Sequence, residues 1–296
     1  MNNRYRYLYT CIFLAIFLFH RIACITVGLA TGKIDERTQI IVIADKHIDN
    51  QCPPEIAQKG RDDIVQLLTL LKKTSIKVSY YIEARARYLE SVKHIPFKEL
   101  VLHVPVLDAV NNNMKAENIE YTSFDLRGSD DYKFLSLATS LLTPLPLSFD
   151  WYSKQQFMRR KIDQAQQIVD NSAVPSNIRD SCYRVIDDVA SKKNDDEDQM
   201  NLFNGLPSDV NLICNIFSQA MINQKETLVV VHAGLGHTHY LMHILNEENM
   251  VKKVQGNVIL PDDNSRLKDD KGRSQVTAIS NVASLVRPFL DQYLSK

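Results

Sequence analysis

The chain has 296 residues, 35 acidic and 35 basic side chains, and 45% hydrophobic content, an ordinary globular composition with ample material for a core. Zero net charge and the lack of any dense Lys/Arg run argue against nucleic acid as the main partner, because phosphate binding needs a basic surface. Five cysteines show neither zinc-finger spacing nor a disulfide framework, which excludes a structural zinc site of that kind.

Residues 1–30 read as a separate segment. Arg4 and Arg6 precede the nine-residue apolar run "CIFLAIFLF", which His20 and Arg21 then interrupt. That run is far short of the roughly 20 residues a membrane-spanning helix needs. A basic start, a short apolar run and small residues downstream predict a secretory signal peptide. "GLA" ending at Ala30 offers small residues at both key positions, whereas "RIA" ending at Ala23 has an arginine where a small one is wanted. The bland alternative is an uncleaved signal anchor. Processing after Ala30 gives a secreted or periplasmic protein, with no stable membrane span and one α/β domain over 31–296. Cys52, Cys182 and Cys214 then remain, and an oxidising compartment permits one disulfide among them.

"QIIVIAD" (39–45) is a continuous apolar run, the pattern of a strand buried on both faces. After Pro53-Pro54, Ile56, Ile64, Leu67, Leu68 and Leu71 recur at helical spacing, and "SIKVSYYIEA" then predicts a second strand ending near Glu83. Strand, helix and strand form a right-handed βαβ unit. "FKELVLHVPVLDAVNNNMKAEN" reads as a helix or broken helix before a third strand, "IEYTSFDLR". Residues 134–225 carry no strand pattern and give three helices, at 151–172, 176–193 and 209–223, with the acidic "KKNDDEDQ" as a solvated loop. "ETLVVV" is a fourth strand, "HTHYLMHILNE" a helix, "NVILP" a fifth strand, and 274–294 a closing helix. The sum is an α/β fold: a parallel or mixed sheet with helices on both faces, and a helical insertion over 134–225 capping the carboxyl edge.

Ligands of open parallel sheets bind beyond the carboxyl ends of the strands. Those ends carry Asp45, Lys46 and His47, then Glu83 and Arg85, then Asp125 and Arg127, then His232 through His237. Imidazoles and carboxylates gathered on one edge have the chemistry of a hydrolytic or metal site. Each residue also has a structural reading: Asp45 as a turn cap, Glu83 with Arg127 as an ion pair, either histidine as a satisfied core group. In "VVVHAGLGHTHYLMHIL" (229–245), a helix starting near His237 puts His237, Leu241, Ile244 and Leu245 on one face. His237 then faces the site, where a helix N-terminus favours neutral imidazole. His239 and His243 are rotated outward. His232 could point into the packing or into the pocket. Gly234 and Gly236 are expected to supply a tight turn and close backbone approach, and with Asp125 and Arg127 to line the ligand site.

The strand-terminal motifs "IVIADKH" and "VVVHAGLGH" resemble those of the erythromycin-esterase/ChaN-like superfamily, which includes TraB/GumN and Tiki proteins. The match rests on Ala44-Asp45-Lys46-His47, Glu83 and Gly234-Leu235-Gly236-His237. It covers the core strands, about half the chain, and none of 134–225. Two positions depart from the pattern: Ala44 stands where the family has glycine, and Asp45 is one methylene shorter than the glutamate of the ChaN and esterase branches. The resemblance implies an extracytoplasmic hydrolase of a peptide or ester bond. His47, Glu83 and His237 would be metal ligands or acid–base groups, with Asp45 orienting His47 and a divalent metal ion as the cofactor. The alternative is a non-enzymatic member of the same fold that binds haem or a protein partner, with Tyr80, Tyr81 and Tyr88 lining an aromatic pocket.

Overall fold

A computed structural model describes residues 23–48, 54–85, 116–126, 151–191, 197–258 and 279–294. Strand β1 (Ala23–Lys33) leads into β2 (Thr38–Ile48), and helix α1 (Pro54–Leu71) follows. Then come β3 (Lys77–Arg85), β4 (Ile119–Asp125) and helices α2 (Trp151–Asp170), α3 (Ser176–Ser191) and α4 (Glu197–Ile222). The chain continues through β5 (Thr227–Gly234), α5 (Leu235–Glu247), β6 (Val251–Gly256), α6 (Val282–Leu290) and a 3-10 turn at Asp291–Tyr293.

The fold is α/β. Its six-stranded mixed sheet has the order β4-β3-β5-β2-β1-β6. The four strands β4, β3, β5 and β2 run parallel, and β1 is antiparallel to both of its neighbours. Every residue of β5 is buried, as a central strand covered on both faces must be. Along β2, Ile40, Val42 and Ala44 face one core while Ile41 and Ile43 face the other, the period-two alternation of a strand. The first core receives α2, α3, α4 and α5 through Ala165, Cys182, Leu206, Val210 and Leu241. The second receives α1 and α6 through Ile64, Leu68, Val282 and Val286. The described helices of 134–225 therefore cover one face of the sheet, and Ser208 in α4 reaches the carboxyl end of β4.

The sequence reading missed β1. "ACITVGLATGK" looks like the small-residue tail of a leader, yet it pairs with β2 from Ala23 to Lys33. The expected processing point after Ala30 thus falls inside a strand. Asp35 closes the hairpin: its Oδ1 accepts from the backbone N–H groups of Arg37 and Thr38, both at 2.7 Å. The glycines of β1 exist for close packing. A Cβ on Gly28 would sit 1.8 Å from the Asn257 carbonyl oxygen, and Gly256 opposite has φ +68° and lies against the Val27 carbonyl.

Other differences have plain causes. Of the strand expected at "NVILP" (257–261), only Asn257 and Val258 lie among the described residues, outside any strand, and the described strand is the preceding segment, β6 (Val251–Gly256). As an edge strand it is mostly exposed, with Lys252 and Lys253 on it, so it lacks the apolar run of a buried strand; charge on an edge also discourages pairing with other chains. Helix α4 starts at Glu197, not 209, and runs through Pro207. Proline usually ends a helix, and here burial of Phe203, Leu206 and Val210 on both sides of it overrides that preference. The last helix begins at Val282, after Asn281 in the left-handed region (φ 62°). The helix or broken helix expected over 97–118 lies almost wholly outside the described residues, as do Tyr88 and Arg127.

Candidate functional site

The strands β5 and β2 are neighbours, and their onward connections leave to opposite faces of the sheet: α5 packs on the first core, α1 on the second. Such a divergence opens a crevice at the carboxyl ends, the usual ligand position in open α/β sheets. At this point Asp45 of β2 stands opposite Gly234 of β5. Two chains of polar side chains meet there, one on each face of the sheet.

On the first face, His237 lies between two carboxylates. Its Nδ1 is hydrogen-bonded to Asp209 Oδ1, from α4, and its Nε2 is 3.2 Å from Glu83 Oε1, at the end of β3. The second oxygen of Glu83 accepts the Gly234 N–H at 2.6 Å, which ties the β3 carboxylate to the β5–α5 turn. The edge of Phe124 packs on the imidazole, with ring centroids 5.6 Å apart. All three ionisable side chains are nearly buried, with 9% exposure at His237, 11% at Glu83 and 7% at Asp209.

Burial alone would push the imidazole toward its neutral form, but the charges of Asp209 and Glu83 and their hydrogen bonds outweigh it and raise the His237 pKa to about 10. His237 is therefore an imidazolium at neutral pH, donating from both nitrogens. This corrects the expectation of a neutral ring at the helix N-terminus. The dipole there is worth about 0.3–1 kcal/mol at most exposed sites, and two carboxylates in direct contact exceed it.

On the second face, His232 is fully enclosed. Its Nε2 is hydrogen-bonded to Asp45 Oδ2, and its Nδ1 lies 2.9 Å from the Tyr80 hydroxyl. Burial first, then the neighbouring Tyr121 and Asp45, hold the Tyr80 pKa well above its ordinary value. The hydroxyl therefore stays protonated, and the His232 ring bridges it to the Asp45 carboxylate. Asp45 Oδ1 and the Tyr121 hydroxyl oxygen are buried with no hydrogen-bond partner among the described residues.

The sequence-predicted residues divide accordingly. Glu83 and His237 are brought together as expected. The Asp45 carboxylate engages His232, where the reading had it orienting His47. The backbone of His47 pairs with Cys24 in β1, and its side chain, like that of Arg85, lies outside the described residues. Asp125 ends β4 and is 3.4 Å from the Ser208 hydroxyl, which also accepts the Leu126 N–H at 3.0 Å. Gly234 has φ −57° and ψ 149°, an ordinary extended conformation. The strand passes directly into α5 at Gly234-Leu235, the tight strand-to-helix turn expected there, but a Cβ on Gly236 would meet nothing within 4 Å, so the close approach expected of that glycine is not observed. His239 is half-buried and His243 exposed, outward as the helical phase predicts, with their rings 4.6 Å apart.

Sequence reasoning missed Asp209 and Tyr80 as partners of the histidines. Asp209 looked like the first residue of a helix, and Tyr80 like the wall of an aromatic pocket. No local pattern announces either role, since each partner is distant in the chain. Among the described residues no three His, Cys, Asp or Glu side chains form a ready metal cluster, and no helix there is long and apolar enough to cross a membrane. The chain matches no protein-family model, no curated protein and no solved structure.

Proposed function

We propose that the carboxyl edge of β3, β5 and β2 is the active centre of an extracytoplasmic hydrolase acting on a peptide or ester bond, as the motif resemblance to the erythromycin-esterase/ChaN-like superfamily implies. The observation that carries this reading is the buried chain Asp209–His237–Glu83, set where the connections from β2 and β5 diverge. Perturbed titratable groups in contact at such a position are what acid–base chemistry needs.

Hydrolysis requires one group to take a proton from water and another to give one to the leaving atom. The Glu83 carboxylate is the base, and the Gly234 N–H fixes its orientation. The His237 imidazolium is the acid, and its proton goes to the leaving oxygen or nitrogen. Asp209 touches only the far side of the ring and positions it. The same donors suit a divalent metal ion in part: it would have to displace the proton from His237 Nε2, and Glu83 and that nitrogen would hold it, with Asp209 as the outer carboxylate that ligating histidines usually have. Such an ion supplies a polarised carbonyl and a more acidic bound water.

The test is hydrolysis of a panel of small esters and peptides by the purified chain, with metal analysis of the same preparation. Activity should fall by at least about 100-fold in Glu83→Gln and in His237→Gln, the scale of general acid–base catalysis. A parent protein that contains no metal and hydrolyses nothing in the panel ends the reading. One observation favours the non-enzymatic alternative: both nitrogens of His232 and of His237 already have protein partners, as a purely structural network requires. Haem addition separates the two, because a Soret shift lost in His47→Ala would identify a haem-binding protein.

A further inference from the structure

Two cysteines play no part in the candidate site. Cys182 lies in the middle of α3 and Cys214 in the second half of α4, at 0% and 1% exposure. They come from neighbouring helices of the same core, and their thiols are hydrogen-bonded to each other. A lone buried cysteine is an inert small hydrophobe. Two buried thiols in mutual contact across a helix pair are different, because each is the other's nearest partner for a disulfide.

We propose that Cys182 and Cys214 are a disulfide-forming pair that joins α3 to α4 when the chain meets a disulfide oxidant and reopens in a thiol reductant. Cys214 attacks first. Its thiol is lowered by the hydrogen bond from Cys182, with burial opposing that and Ser172 and the Arg179 guanidinium adding to it. Arg179 is held in place by a 3.2 Å hydrogen bond to the Ser172 carbonyl. Because both thiols are buried, the α3–α4 seam must open locally to admit the oxidant; the Cys214 thiolate then attacks one sulfur of its disulfide, and the other sulfur leaves as a thiolate. Cys182, whose thiol is pushed up by the same hydrogen bond and by burial, then loses its proton and attacks the Cys214 sulfur, expelling the second oxidant thiolate. Two electrons pass to the oxidant, and the two cysteine protons end on its thiolates or in water. The bond would pin α4, which carries Ser208 and Asp209, to the helix beside it.

The experiment equilibrates the purified chain with oxidised and reduced dithiothreitol at several ratios, quenches in acid, alkylates free thiols and maps tryptic peptides by mass. The expected product joins the peptide Asp180–Arg184 to the peptide Asn194–Lys225, lighter than their sum by two hydrogen atoms and split again by excess reductant. The oxidised chain should also unfold at higher urea concentration than the reduced one. The cross-linked product should be missing from Cys182→Ser and from Cys214→Ser, but the parent protein decides the matter if either variant does not fold. Full alkylation of both cysteines after the most oxidising equilibration overturns the proposal. So does pairing of either one with Cys24 or Cys52.

Discussion

Asp209→Asn removes one of the two charges that hold a proton on His237 while leaving an amide oxygen for its Nδ1–H. In the parent the imidazole pKa rises from its ordinary 6.5 to about 10. At about 1.4 kcal/mol per pH unit, that corresponds to an upper figure of roughly 5 kcal/mol favouring the protonated, folded form. The folded value lies above the unfolded one, so this contribution is complete below pH 6.5, shrinks as pH rises, and is gone above about pH 10. In the variant, only Glu83 faces the ring with a negative charge, and the folded pKa moves back toward 6.5. Stability at pH 6 should fall by about 3 kcal/mol, the usual scale for neutralising one partner of a buried ion pair. At pH 10, where about half of the parent rings and nearly all of the variant's are neutral, the difference should be much smaller. Urea unfolding of parent and variant at pH 6, 8 and 10 measures this, and NMR titration of the His237 ring follows the proton directly. An equal loss at pH 6 and pH 10 would refute the reasoning, as would a parent imidazole that titrates near 6.5.

Tyr80→Phe leaves His232 Nδ1 buried without a partner, and should destabilise the fold by about 1–3 kcal/mol with no change in the His237 titration; chemical unfolding and NMR together check both halves. Replacing His239 and His243 together with Gln should change stability by less than about 0.5 kcal/mol, because both point outward on α5, and should leave any hydrolytic activity within a few-fold. Gly236→Ala should be neutral or stabilising by up to about 1 kcal/mol, since a methyl there enters open space on a helix. Gly28→Ala should be strongly destabilising, because its Cβ would collide with the backbone at Asn257; thermal melts of the two variants give the contrast. A chain expressed from Thr31 loses eight of the eleven residues of β1 and should be insoluble or unfolded, whereas one starting at Ala23 should fold, which solubility and circular dichroism can decide.

Hydrophobic periodicity alone located β2, α1, β3, β4, α2, α3, β5 and α5, because each buries a face or a stripe whose spacing is written in consecutive residues. It also made the end of each parallel strand the place to look for polar groups, and it set the phase of α5 that turns His237 inward and His239 and His243 outward. What lies outside that logic was invisible. The strand β1 has small residues and glycines because β6 crosses it closely, and in the sequence those residues look like the tail of a leader. The strand β6 is an exposed edge with no apolar run to betray it. The chemistry of the histidines depended on the tertiary structure most of all. Asp209 is 28 positions before His237, and Asp45 is 187 positions before His232. An imidazole's charge is decided by the atoms within about 4–6 Å of it, and only folding determines which carboxylates those are.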